Sequence, residues 1–248
     1  MTPLLFSGAS NDPTSMNSSY ASGSGSSHPV SFFLSIVFGI VLNLPLLVCD
    51  LVLNFILEDN SQVLTAWQSI VLLYKMVMLV MAIAIFVHLS KIAVPDGHSK
   101  KLAANEYILI FSAAGSVALL TFGIIAGIQT RNLKGDLALA DSLVDIVTIY
   151  VQTVLVIHSE RKRRRTDVSI RTCCATEHLI ILLSICNFVF WVTDSFIDFK
   201  YKKDLHIEEC YFGKTTWNKV REILFPILIF YRFHVSIDLY GFFCKFRN

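Results

Sequence analysis

Asp141, Asp145, Thr148 and Gln152 follow one another at spacings of 4, 3 and 4, which sets them on one face of a helix. Asn187, Trp191, Asp194 and Asp198 repeat the pattern, and Tyr231, His234 and Asp238 are spaced 3 and 4. Stripes that combine carboxylates, an imidazole and neutral hydrogen-bonding groups can take up, relay and release protons, and histidine suits this because it ordinarily titrates near neutrality. The same Gln, Asn and Tyr serve equally well as glue between helices, each bond contributing ~0.6 to 2 kcal/mol. Lys75 and Asp50 are two further charges within apolar sequence, at depths that differ by about one helical turn (~5.4 Å). An intramembrane ion pair between them is expected.

The stripes lie inside six apolar segments, at 30–57, 63–89, 106–128, 137–158, 176–198 and 218–243. Each reaches the ~20 residues that a helix needs to cross the hydrocarbon of a bilayer. Of the 248 residues 54% are hydrophobic and 16% charged, with mean hydropathy +0.60, so lipid rather than water is the expected solvent. Backbone groups in lipid have to bond within their own segment, and the segments lack the alternation of barrel strands; the sequence therefore predicts an all-α membrane protein of six transmembrane helices over 30–243. Three polar stripes on successive helices are most cheaply buried by turning them toward a shared interior. Asp141, Asp145 and Asp194 then fall toward the outside, Gln152, Asn187 and Tyr231 near the middle, and His234 and Asp238 toward the cytosol.

Residues 1–29 are rich in Ser, Gly, Asn and Pro and are expected to be a disordered cytosolic tail with no signal peptide, followed by the six spans and a short cytosolic end at 244–248. Lys91, Lys100 and Lys101, the run from Arg161 to Arg171, and Lys245 and Arg247 lie on one side of the six spans and outnumber the basic residues of the other side. The positive-inside rule then puts both termini in the cytosol, which leaves the sequon at Asn17 unglycosylated, and a multi-pass protein of the plasma membrane is expected. RKRRR at 161–165 reads as a topology-fixing loop, a nuclear signal or a lipid-headgroup patch. Pro45 and Pro226 are expected to kink their helices, and Gly123 with Gly127 makes a G-x-x-x-G spacing that permits close helix approach. The six cysteines form no metal-ligand spacing; Cys210 has no evident partner, and Cys173 and Cys174 sit where palmitoylation is possible. No H-E-x-x-H, G-x-S-x-G or phosphate-cradling glycine loop is present, so neither an enzyme nor a cofactor is expected, and a net charge of +2 gives no reason to expect nucleic acid.

QTVLVIHSERKRRR (152–165), CNFVFWVTDSF (186–196) and YFGKTTWNKVREILFPILIFYRFHVSIDL (211–239) resemble the last three membrane helices of otopetrins, which are proton-selective channels. NEYILIFSAAGSV (105–117) is compatible in order and length. Otopetrins have twelve helices in two similar six-helix halves and assemble as dimers, so four barrel-like halves surround a lipid-filled space; the resemblance covers the second half, residues 30–243. It implies that Gln152, Asn187 and Tyr231 are the Gln-Asn-Tyr triad of that half, with Arg232 and His234 in the same family segment. Leu155 departs from the family, where Phe is common at that place. The implied activity is proton conduction by chains that self-associate, so that four copies stand in for two full-length subunits. The alternative is a non-conducting half-length subunit that binds full-length otopetrins.

Overall fold

Apolar runs flanked by helix-starting and helix-stopping residues coil into long helices. The computed structural model describes residues 29–56, 61–95, 103–164, 170–198 and 207–247. Among the described residues there are six long helices, α1 (Pro29–Ile56), α2 (Ser61–Ile92), α3 (Ala104–Gln129), α4 (Leu133–Glu160), α5 (Ile170–Thr193) and α7 (Lys214–Arg247), with a short α6 (Ile207–Phe212) before the last. Thr65–Ile92, Ala104–Gln129, Leu133–Glu160, Cys174–Phe196 and Lys214–Lys245 are long and apolar enough to cross a bilayer, and the chain is an all-α membrane protein. α1, taken as the first span from the sequence, is a 28-residue helix in which Phe33–Cys49 is a shorter apolar stretch. Residues 1–28 of the expected tail lie outside the described residues. Lipid as solvent explains why Phe33, Leu73, Phe111, Tyr150 and Ile223 each leave more than 60% of their surface uncovered.

Helix ends follow local chemistry. Asn132 caps α4 by accepting a hydrogen bond from the Gly135 amide at 2.8 Å, and Glu106 reaches back to the Ala103 amide at 2.7 Å to close the first turn of α3. α6 stops at Gly213, whose φ of 81° is left-handed and turns the chain into α7. Three features had no counterpart in the sequence reading: α6, a π-helical turn over Asp194–Asp198, and a two-stranded antiparallel sheet of β1 (Ala93–Pro95) with β2 (Lys162–Arg164).

Packing closes a ring of five helices, from α2 to α4, α3, α7, α5 and back to α2, with α1 against the outside of α5. Two contacts in this ring are unusually close. Gly123 and Gly127 bring α3 onto α4, where a side chain on Gly127 would meet the Gly135 carbonyl oxygen at 2.9 Å and the Leu139 amide at 3.0 Å. Ser184 and Ser236 join α5 to α7 by donating to each other's carbonyl oxygens at 2.8 and 2.9 Å. Gly127→Ala is therefore expected to lower stability by about 1 to 3 kcal/mol, whereas Gly241→Ala, with nothing within 4 Å of the added carbon, should be neutral. Thermal unfolding of both variants in detergent checks this, and equal midpoints would show that α3 and α4 are free to separate.

The loops after α2 and α4 and the end of α7 meet at one end of the bundle. Arg161 faces Glu106 at 3.7 Å, Lys245 donates to the Glu160 carbonyl oxygen at 2.9 Å, and β1 pairs with β2.

Candidate functional site

The most polar part of the interior is a chain of ion pairs across four helices. Lys75 of α2 donates to both carboxylate oxygens of Asp141, at 2.7 and 2.8 Å, and to Asp145 at 2.8 Å, both acids belonging to α4. The same Asp145 oxygen lies 3.5 Å from the guanidinium of Arg232 on α7, whose Nε is 2.6 Å from Asp194 at the start of the π-helical turn. Phe190, one turn before Asp194, lies under the guanidinium at 4.8 Å from the ring centroid. Lys75, Asp145, Asp194 and Arg232 are all buried, while the Asp141 side chain is 39% exposed. Charges inside a membrane persist when they are paired, and the α4 acids are spaced one turn apart so that both meet one ammonium.

Neutral hydrogen-bonding groups come next along α4 and α7. The hydroxyl of Tyr231 donates to the Ile149 carbonyl oxygen at 2.9 Å and lies 3.1 Å from the Thr153 hydroxyl. It thus bonds α4 on either side of Gln152 in sequence. Asn187 donates to the carbonyl oxygen of Leu183 at 2.9 Å. Gln152, Asn187 and Tyr231 are each 1% exposed, and the amide nitrogen of Gln152 has no hydrogen-bond partner among the described residues. No direct hydrogen bond joins the three among the described residues.

Farther along α7, His234 Nε2 is 3.5 Å from Asp238, and Asp238 accepts from the Asn105 amide of α3 at 3.2 Å. The imidazole stacks on Phe230 with centroids 5.5 Å apart. From Arg232 the helix rises ~3 Å to His234 and ~9 Å to Asp238 at ~1.5 Å per residue, so the dyad begins within a turn of the ion pairs.

Several sequence expectations meet different surroundings. The expected Asp50–Lys75 pair falls partly outside the described residues, because nothing is described of the Asp50 side chain; the Lys75 ammonium is held by Asp141 and Asp145. Those two acids and Asp194, expected toward the outside, are tied to cations. The side chain of Asp198 also lies outside the described residues. Arg232 links α7 to α4 and α5, a role that its position inside an apolar span could have flagged. A second polar knot went unnoticed: Tyr74 of α2 donates to Asn43 of α1 and to Cys186 of α5, the sulfur at 2.9 Å. Its signal was Asn43 within the first apolar segment.

The sequence profile of the otopetrin family matches residues 21–233. "Proton channel OtopLc" of Drosophila melanogaster is 23% identical over 141 residues, which cover 56% of this chain and 9% of that protein.

Proposed function

Because the chain belongs to the otopetrin family, we propose that it conducts protons across the membrane through the interior of the helix ring. The observation that carries this reading is the series of titratable and hydrogen-bonding groups inside the spans, from Asp141, Asp145 and Asp194 through Gln152, Asn187 and Tyr231 to His234 and Asp238. An intramembrane ionisable group is a functional candidate by default, and this chain holds five in one connected cluster.

Protons reach Asp141 first, since its side chain is the most exposed of the five charged groups. Protonating Asp141, Asp145 or Asp194 removes one negative partner from Lys75 or Arg232 and so loosens the links between α2, α4, α5 and α7. In the loosened bundle, water and the Gln152 amide extend the series toward Tyr231 and Asn187. His234 with Asp238 then passes the proton to the end where the basic loops gather, which the positive-inside rule assigns to the cytosol. α1 counts as a sixth span in this reading, and self-association supplies the second half that the resemblance calls for. OtopLc, of which this match covers 9%, is named as a proton channel.

The test is reconstitution of the purified chain in liposomes with a lumenal pH dye, external acid and a potassium shunt. Lumenal acidification should exceed that of protein-free liposomes at least ~tenfold, a barrier difference of ~1.4 kcal/mol. Rates equal to the protein-free control, with the chain shown to be folded and inserted, would remove the conduction reading. A flux change seen only when full-length otopetrin is added would favour the modulatory subunit.

A further inference from the structure

The basic run after α4 does more than sit in a loop. β2 is Lys162–Arg164, three consecutive cations, and its pairing with β1 sets Val94 opposite Arg163 and Pro95 opposite Lys162. β1 begins directly after α2, and β2 begins two residues after the end of α4. A ladder this short leaves open strand edges, which hydrocarbon does not tolerate, so the pair lies at headgroup level. Lys91, the last cation of α2, is exposed there. Arg161 and Lys245 keep 44% and 43% of their side chains exposed although Glu106 and Glu160 approach each to 3.7 Å. Lys91, Arg161, Lys162 and Lys245 thus stand with two carboxylates at the membrane surface, and Arg163 and Arg164 follow in the β2 backbone.

We propose that this sheet and its surroundings bind the headgroup of a polyphosphorylated anionic lipid, of the phosphoinositide class, in the adjoining leaflet. Position favours a lipid over a soluble anion: the cations follow membrane helices directly, at the level where phosphates of the bilayer stand. Charge favours it as well, because clusters of four to eight Lys and Arg beside a membrane helix attract anionic lipid. Arginine adds paired N–H donors that match phosphate oxygens. The end with the basic excess is the cytosolic one by the positive-inside rule, and that leaflet carries the anionic lipids. Bound there, one headgroup would fasten the end of α2 to that of α4, the two helices whose Lys75, Asp141 and Asp145 form the ion pairs deeper in the bundle.

The experiment uses the full chain in phosphatidylcholine nanodiscs, titrated with short-chain phosphatidylinositol bisphosphate and read by thermal unfolding and native mass. Saturable binding and a raised unfolding midpoint are expected. Neutralising Lys162, Arg163 and Arg164 together to Gln should weaken binding about 100-fold, roughly five-fold per cation, and Arg163→Lys with Arg164→Lys should stay within a few-fold of the wild type. If the triple variant fails to fold, Lys91→Gln decides, with a loss of about five-fold expected. Equal binding by the neutralised variant, equal binding of short-chain phosphatidylcholine, or equally tight binding of inositol trisphosphate without acyl chains would overturn the proposal. The readout needs no proton gradient, so it stands apart from conduction.

Discussion

Arg232→Met should destabilise the protein by about 3 to 5 kcal/mol, the usual result of removing one partner from a buried ion pair. The guanidinium lies 2.6 Å from Asp194 and 3.5 Å from Asp145, and both carboxylates are buried. Once it is gone, Asp145 keeps Lys75, whereas Asp194 loses its closest cation. Arg232→Lys should recover little, because a single ammonium cannot reach two acids on different helices and also keep the contact over the Phe190 ring. Pairing Arg232→Met with Asp194→Asn should restore much of the loss, since the neutral amide no longer needs a cation. Unfolding midpoints of the two single variants and the double variant form the cycle that measures this coupling. Strict additivity would mean that the short Arg232–Asp194 contact contributes nothing specific.

The second large effect concerns Gln152→Leu. Glue and pathway, which the sequence left level, predict opposite outcomes here. If Gln152 were holding helices together, Leu would cost stability. Its amide nitrogen has no partner among the described residues, though, and the residue is 1% exposed, so an apolar side chain of similar size should leave the stability within about 1 kcal/mol of the wild type. Proton flux should nevertheless fall at least ~tenfold, or ~1.4 kcal/mol of barrier, because the group that bonds water midway along the series is gone. Liposome flux measured beside thermal unfolding separates the two. A variant that conducts normally but unfolds early would show Gln152 to be structural.

Apolar length and hydropathy made the membrane helices legible, because a span of ~20 residues is a property of the chain alone. The polar stripes were legible for the same reason: helical periodicity puts Asp141, Asp145 and Gln152 on one face whatever they touch. Partners were not legible. Lys75 pairs with Asp141 and Asp145, 66 and 70 positions away, and only the closure of α2 onto α4 decides that. The short sheet was hidden as well, since three basic residues carry no strand pattern until Ala93–Pro95 is beside them. Gly123 and Gly127 gave a weak signal that packing made definite, because a glycine spacing acquires meaning when a second helix occupies the groove. The family resemblance singled out Gln152, Asn187 and Tyr231, and all three are buried; it did not indicate that Tyr231 would bond the Ile149 carbonyl and the Thr153 hydroxyl of α4 on either side of Gln152.

The reciprocal serine bonds of α5 and α7 and the glycine contacts of α3 and α4 divide the bundle into two stiff pairs. Asp145 belongs to one pair and Arg232 with Asp194 to the other, so the plane between the two pairs passes through the charges. Rearrangement that leaves both pairs intact must run along that plane, and a change in the charge of one carboxylate acts on it directly.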